Sequence, residues 1–210
     1  MCIRDRLVAV ERENIGVVSL LLENGANADI EDGKGRTPLL NAAASGNTKI
    51  FKLLLGNGAD LYWYATNGER AMHLAAGSGS IEIIRLLLEN GVDCLNGFSP
   101  NVDHWTALHM AAVLGHTEIV KLFLENGADP NRRDERGATA LYCATVKKNL
   151  EIVKILLEND ADFTILTKKG GSIFTDTGDA GMYALSLIQD RSVLSKRFAV
   201  LEQYLSLIHI

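Results

Sequence analysis

The chain of 210 residues lacks two features that would assign it to familiar classes of protein. No apolar run approaches the roughly 18 residues that a membrane-spanning helix needs, so we predict that the chain does not bind or cross a membrane. Positive charge is not in excess, because 21 Lys and Arg against 26 Asp and Glu give a net charge of −5. Since nucleic-acid phosphates attract clustered positive charge, we also predict that it does not bind nucleic acid.

Cysteine is scarce as well. Cys2, Cys94 and Cys143 are far apart and odd in number, which fits neither a disulfide framework nor a CxxC metal pattern. Such cysteine usage favours a reducing compartment, so we predict a cytoplasmic protein. With 47% hydrophobic and 22% charged residues, the composition is typical of a globular chain.

The two ends of the chain look like foreign sequence. The chain opens with MCIRDR and closes with LSLIHI. One back-translation of the closing hexapeptide has a reverse complement that encodes Met-Cys-Ile-Arg-Asp in a shifted frame. Ends of this kind are typical of a sequencing adapter read from both sides, and such segments are excluded from fold reasoning. We therefore predict that residues 1–6 and 205–210 are artefact and that residues 7–204 are a fragment.

An internal repeat dominates the remaining sequence. Glycines recur at spacings of 33, 33 and 36 residues, at Gly25, Gly58, Gly91 and Gly127. Asp160 takes the next slot, a further 33 residues along the chain. A second series, again 33 or 36 residues apart, contains Gly35, Gly68, His104, Gly137 and Gly170. An apolar helical pattern precedes each member of the first series. A fixed period of about 33 residues with two short helices per unit indicates a repeat architecture.

Short sequence motifs recur within each period, and their residues have identifiable physical roles. Thr37, Thr106 and Thr139 stand where a side-chain oxygen can cap a helix, and Pro38 follows at the first helical position. Alanine pairs such as residues 42–43, 75–76 and 111–112 are small enough to let neighbouring helices approach closely. Lys148, Asp160 and His104 depart from the pattern, because each occupies a slot that otherwise holds glycine.

Residues 37–39 (TPL) and 106–112 (TALHMAA) carry a Thr-Pro-Leu-His-x-Ala box, and with it residues 7–171 resemble the ankyrin-repeat family. The resemblance implies an all-α solenoid in which helix pairs are joined by β-hairpin fingers. The implied repeats are about 7–31, 32–64, 65–100, 101–133 and 134–166. Residues 167–204 are then a degenerate capping repeat or the start of another domain. His73 and His109 occupy the histidine slot, where the family uses the ring for hydrogen bonding between repeats.

No residue set in the sequence indicates catalysis, a metal site or a cofactor. No nucleophile, base and acid can be nominated together, the histidines have no ligand partner at metal spacing, and residues 33–35 (GKG) are not a phosphate-binding loop. We predict a non-enzymatic module for protein–protein interaction that acts as a monomer. The alternative is a targeting segment of a larger enzyme, channel or effector.

The family resemblance implies that the partner protein meets the finger tips and the exposed, concave side of the first helices. Aromatic and apolar residues without a framework role are the candidate contacts, because Tyr and Trp are frequent binding hot spots. The predicted partner-binding residues are Tyr62, Trp63, Tyr64, Phe98, Trp105, Val113, Leu114, Arg133, Arg136 and Val146. Two alternatives stay open: Trp63, Phe98 and Trp105 pack onto the base of their own finger, or residues 132–136 form a solvated finger of mixed charge.

Overall fold

The computed structural model describes residues 14–92, 97, 104–176, 179, 181, 182, 184 and 186. Two compact units divide the chain, the first ending at Ala107 and the second beginning at Leu108. Residues 1–6, Cys94, Phe98 and residues 205–210 lie outside the described residues, as does most of the predicted terminal segment 167–204.

The described part of the chain contains nine short helices. They are α1 (Ile15–Glu23), α2 (Pro38–Ser45), α3 (Thr48–Gly56), α4 (Ala71–Ser78), α5 (Ile81–Glu89), α6 (Ala107–Leu114), α7 (Thr117–Glu125), α8 (Ala140–Val146) and α9 (Leu150–Glu158). Helices α2, α4, α6 and α8 are the first helices of successive pairs, and α3, α5, α7 and α9 are the second helices. The predicted all-α class is confirmed.

Threonine caps begin two of the first helices. The Thr37 hydroxyl accepts a hydrogen bond from the Leu40 amide at 3.4 Å, and Pro38 occupies the first turn of α2. The Thr139 hydroxyl accepts from the Tyr142 amide at 3.3 Å in the same way. A side-chain oxygen at this position satisfies an amide that has no partner within the helix. These contacts confirm the capping roles of Thr37 and Thr139.

In the first unit both helices of each pair contribute large buried residues, and the first helices also carry buried alanines. Ala43 of α2 and Ala75 of α4 are completely buried, and so are Phe51 of α3 and Ile83 of α5. The Ser78 hydroxyl at the end of α4 donates to the Ala43 carbonyl at 2.8 Å. Alanine and serine therefore allow α2 and α4 to pack closely.

The second unit repeats this arrangement with a different polar link. Ala112 of α6 and Ala144 of α8 are completely buried, as is Phe123 of α7. The Asn149 side chain, just after α8, donates to the Ala112 carbonyl at 2.7 Å. The amide of asparagine thus links the ends of two first helices, as the serine hydroxyl does in the first unit.

The segments between helix pairs, here called fingers, adopt one tight turn. They are residues 26–36 and 59–69 in the first unit and 128–138 and 161–171 in the second. In each finger an amide donates to the carbonyl four residues later at 2.8–2.9 Å; the donors are Asp32, Ala65, Asp134 and Thr167. Each of these fingers is a short hairpin-like turn, and because the turn takes up about half of the finger, little backbone is left for strand pairing. Among the described residues a single antiparallel bridge, between Tyr64 and Arg70, is the extent of the strand pairing.

Backbone hydrogen bonds join neighbouring fingers within each unit. The Thr66 amide donates to the Lys34 carbonyl at 3.0 Å, and the Lys168 amide donates to the Arg136 carbonyl at 2.8 Å. A Cβ atom at Gly35 would lie only 2.9 Å from the Thr66 nitrogen, and Gly35 has a φ of +68°. Glycine is required there both for space and for conformation.

Side-chain hydrogen bonds at the base of the fingers repeat the same offset. The Asp60 amide donates to the Asp29 carboxylate at 2.9 Å, and the Asp162 amide donates to the Asn131 side-chain oxygen at 2.6 Å. Each pair of fingers is therefore joined at its base and along its length. The fingers are fixed by their neighbours as well as by their own turns.

Three non-glycine residues adopt a positive φ in the described part of the chain: His104 at 55°, Lys148 at 60° and Asp160 at 66°. They are the three positions where the sequence departs from the glycine pattern. The glycine slot therefore dictates the backbone conformation even where glycine is absent. An L-residue in this left-handed region is destabilised by about 1–2 kcal/mol relative to the right-handed helix.

Lys148→Gly is expected to raise the free energy of unfolding by about 0.5–1 kcal/mol. Relief of the left-handed strain outweighs the entropy that glycine adds to the unfolded chain. Chemical denaturation of the wild type, Lys148→Gly and Lys148→Ala measures the effect. The alanine variant keeps the Cβ atom and is expected to gain nothing, so equal stabilisation by both variants would contradict the explanation.

Candidate functional site

Consecutive aromatic residues occupy the tip of finger 59–69. Tyr62 is 57% exposed and Tyr64 is 62% exposed, whereas Trp63 is half-buried. The Trp63 indole N–H donates to the Gly35 carbonyl of the preceding finger at 3.2 Å. Trp63 anchors the tip to its neighbouring finger, while the two tyrosines face solvent.

Arg70, at the start of α4, also contacts the tip of finger 59–69. Its guanidinium donates to the Tyr62 carbonyl at 3.3 Å and lies 5.6 Å from the centre of the Tyr64 ring. A cation at this distance over a ring face is attracted by the negative charge of the π system. The Tyr64 ring is therefore oriented by a cation–π contact.

Two carboxylates flank the aromatic tip. Glu31 of finger 26–36 and Asp60 line one open cleft together with Tyr62, Trp63 and Tyr64, and the cleft volume is about 480 Å³. The sequence prediction missed Asp60 as a site residue. The sequence does contain a signal that Glu31 lies near this tip. Glu31 precedes Tyr64 by one 33-residue period, so the two residues occupy the same slot in neighbouring fingers.

A second contact that the sequence prediction missed joins the same two fingers. The Arg36 guanidinium and the Glu69 carboxylate lie 2.7 Å apart and are mostly buried. Asn67 also donates to Glu69 at 2.6 Å. Opposite charges one period apart are the sequence signal for this pair. The pair leaves Arg36 neutralised by its neighbour.

In the second unit the candidate apolar residues lie at the ends of first helices. Leu114 at the end of α6 is 50% exposed and Val146 at the end of α8 is 47% exposed, whereas Val113 is half-buried. Asn149 donates to the Ala112 and Val113 carbonyls at 2.7 and 3.3 Å, which brings the two helix ends together. Leu114 and Val146 thus present apolar surface from adjoining ends.

The candidate arginines of finger 128–138, Arg133 and Arg136, are both exposed. The Arg133 guanidinium donates to the Gly137 carbonyl at 3.3 Å and to the Leu166 carbonyl of the next finger at 2.7 Å. Arg133 therefore links two fingers, and its guanidinium is already engaged by carbonyl groups.

Trp105 is half-buried and belongs to the first unit, whereas Val113, Leu114 and Val146 belong to the second. A shared surface of these residues stays a prediction. Phe98 lies outside the described residues.

Two buried histidines link first helices to the following fingers. His109 lies 3.1 Å from the Ala138 carbonyl through Nε2, and His73 lies 3.2 Å from the Gly97 carbonyl through Nε2. Burial lowers the pKa of both rings, so each is neutral and its Nε2–H donates to the carbonyl. The predicted hydrogen bonding between repeats is confirmed for His109, whose acceptor lies in the next repeat, whereas Gly97 lies within the same implied repeat as His73.

Cys143 of α8 is a buried free thiol, and burial raises its pKa to about 12. A thiol of this kind is protonated at neutral pH and is a poor nucleophile. Among the described residues, His, Cys, Asp and Glu side chains do not form a group of three or more that could hold a metal ion. No helix in the described ranges has both the length and the apolar character needed to cross a membrane.

The regular helix pairs, the finger turns and the histidine links agree with a comparison against protein families. A family model described as "Ankyrin repeats (3 copies)" matches residues 7–97 and 93–167. The chain belongs to the ankyrin-repeat family. Ankyrin repeats are generally modules for protein–protein interaction and are typically non-catalytic. A search of curated proteins found no match.

The stability of this ankyrin-repeat chain is expected to fall as the pH drops below about 6.5, the ordinary histidine pKa. Below this pH the histidines of the unfolded chain bind protons, whereas the buried His73 and His109 rings of the folded chain stay neutral. This difference lasts until the pH falls below the lowered pKa of the buried rings. The expected loss is up to about 1.4 kcal/mol per pH unit for each ring. Denaturant titrations between pH 7.5 and 5.5, roughly spanning this window, measure it.

His109→Gln is the matched variant for this measurement, because a glutamine amide can still donate to the Ala138 carbonyl but does not titrate. Its free energy of unfolding is expected to depend less steeply on pH than that of the wild type. Identical slopes for the two proteins would show that His109 does not carry the effect.

Proposed function

We propose that the chain is a recognition module that binds a partner protein through its finger tips and the exposed side of its first helices. In this proposal the chain acts as a monomer in the cytoplasm and is not an enzyme. The observation that carries it is the exposure of Tyr62 and Tyr64 on a finger whose backbone is tied to its neighbour. Two exposed tyrosines close together on a fixed backbone suit a binding surface, because Tyr is enriched among the residues that dominate interface energies.

The fixed fingers favour recognition for an energetic reason. Binding loses affinity when loops and side chains must be ordered at the interface. Here the amides of Thr66 and Lys168 are already bonded to the neighbouring finger, and Trp63 is anchored to Gly35. A partner would therefore meet tyrosines whose backbone needs no reorganisation.

Leu114 and Val146 support a second contact region in the same module. Both are apolar, about half exposed, and located at the ends of adjoining first helices. Their helices are held by buried alanines and by Asn149, so the two side chains have no evident role in stabilising the unit. Apolar contact area of this kind complements the aromatic finger tip.

The non-enzymatic part of the proposal is supported by the environment of the groups that could act in catalysis. His73 and His109 are buried and bonded to carbonyl groups, and the Cys143 thiol is buried with a raised pKa. Each has a structural explanation. The unpaired state of Cys143 also suits a reducing compartment.

The proposal is tested by selecting binders from a displayed library of protein fragments and measuring their affinities for variants. Tyr64→Ala and Leu114→Ala remove exposed side chains from the proposed surface. Each is expected to weaken the selected binders by about 1–2 kcal/mol, because central aromatic and apolar contacts dominate interface energies. Unfolding curves for each variant establish that the fold is retained.

Lys52→Ala and Lys154→Ala are the matched controls, since both lysines are exposed on second helices. These variants are expected to leave the affinities unchanged. If the control variants weakened the binders while Tyr64→Ala and Leu114→Ala did not, the interaction surface would lie on the second helices and the proposal would fail.

A further inference from the structure

The cleft beside the aromatic tip carries an uneven charge distribution. Of the described residues that line it, Glu31 and Asp60 are carboxylates and none is cationic. Both carboxylates are exposed, and no ion pair involves either of them among the described residues. The cleft wall is therefore negative as well as open to solvent.

The nearby cations contact groups other than these two carboxylates. Lys34 and Arg36 line a different cleft together with Asn67, and Arg36 is paired with Glu69 at 2.7 Å. Arg70 is engaged with the Tyr64 ring and the Tyr62 carbonyl. The Asp60 carboxylate accepts a hydrogen bond from the Tyr62 amide at 2.8 Å, and both exposed carboxylates are still open to a cation from outside.

The tyrosine rings have the same preference for positive charge. An aromatic ring is negative on its face and attracts ammonium and guanidinium groups. Arg70 already occupies such a position over Tyr64 at 5.6 Å. Tyr62 is 57% exposed, and no ring or cation contact is described for it. Its ring is available to an incoming cation.

We infer that this cleft binds an arginine or lysine side chain from a basic segment of the partner protein. The inference rests on the proposed recognition function and specifies the chemistry of one contact region. Glu31 and Asp60 attract the charged group, and the Tyr62 ring packs against it. An exposed ion pair or cation–π contact alone raises affinity only about two- to fivefold, so the selectivity comes from combining them.

The test uses a fluorescein-labelled peptide of alternating arginine and glycine and a twin in which citrulline replaces arginine. Citrulline has nearly the same shape but no charge. Fluorescence anisotropy is expected to show saturable binding of the arginine peptide and at least about tenfold weaker binding of the citrulline peptide. Binding should weaken as salt is raised from about 20 to about 300 mM, because exposed charges are screened. Equal binding of both peptides to the wild-type protein would by itself overturn the inference.

A pair of double variants separates this cleft from general attraction to an acidic protein. Glu31→Gln/Asp60→Asn removes two charges, and the asparagine can still accept the hydrogen bond that Asp60 receives from the Tyr62 amide at 2.8 Å. Glu89→Gln/Glu125→Gln removes two charges from exposed positions at the ends of α5 and α7. The first is expected to weaken the arginine peptide about tenfold, and the second by less than about twofold. Equal weakening by the two would contradict a specific site.

Substitution of Tyr62 tests the ring itself. Tyr62→Leu keeps apolar area and removes the aromatic face, whereas Tyr62→Phe keeps the face and removes the hydroxyl. We expect about three- to fivefold weaker binding for leucine and little change for phenylalanine. The reverse order would contradict a ring–cation contact.

Failure of this inference is distinguishable from failure of the proposed function. If library binders depend on Tyr64 and Leu114 while the arginine peptide shows no preference for the cleft, the recognition function stands and the cation chemistry is wrong. If the library binders are insensitive to both residues, the recognition function fails whatever the peptide does.

Discussion

Close packing between neighbouring first helices is the contact on which the rest of the structure depends. In the first unit this packing buries alanines on α2 and α4 completely, and Ser78 bonds across to the Ala43 carbonyl. A single helix pair cannot bury its own apolar side, so stability in such arrays comes from the interface between neighbours. A larger side chain at Ala43 or Ala75 would separate the helices and disrupt that interface.

The same offset between neighbours that stacks the helices also sets the positions of the fingers. Because each helix pair is displaced from the next by one repeat, the Thr66 amide meets the Lys34 carbonyl and the Lys168 amide meets the Arg136 carbonyl. These hydrogen bonds between neighbours satisfy backbone amides and carbonyls of the fingers. Exposed tip side chains such as that of Tyr62 can then vary without loss of these backbone bonds, whereas Trp63 and Arg133 link one finger to the next.

Local rules explain why much of the fold could be predicted from sequence. Helix caps at Thr37 and Thr139 and the positive φ at Lys148 depend only on residues within one turn of the chain. The 33-residue period adds the order of the helices. Among the described residues strand pairing in the fingers is confined to the Tyr64–Arg70 bridge, because the tight turn of each finger leaves little extended backbone.

The candidate site was less predictable, because it depends on contacts between fingers. Whether Trp63 is exposed or anchored is decided by the position of the Gly35 carbonyl in the preceding finger. The inclusion of Asp60 in the cleft had no signal in the sequence.

Residue-resolved amide hydrogen exchange of the free chain tests most directly whether the fingers are a preformed surface. The central claim is that bonds between fingers fix the tips before any partner binds. We predict that the Thr66 and Lys168 amides exchange as slowly as helix-core amides of their own units, since opening them requires separation of neighbouring fingers. Exchange as fast as in an unstructured loop would contradict the claim, because the fingers would then have to be ordered by the partner.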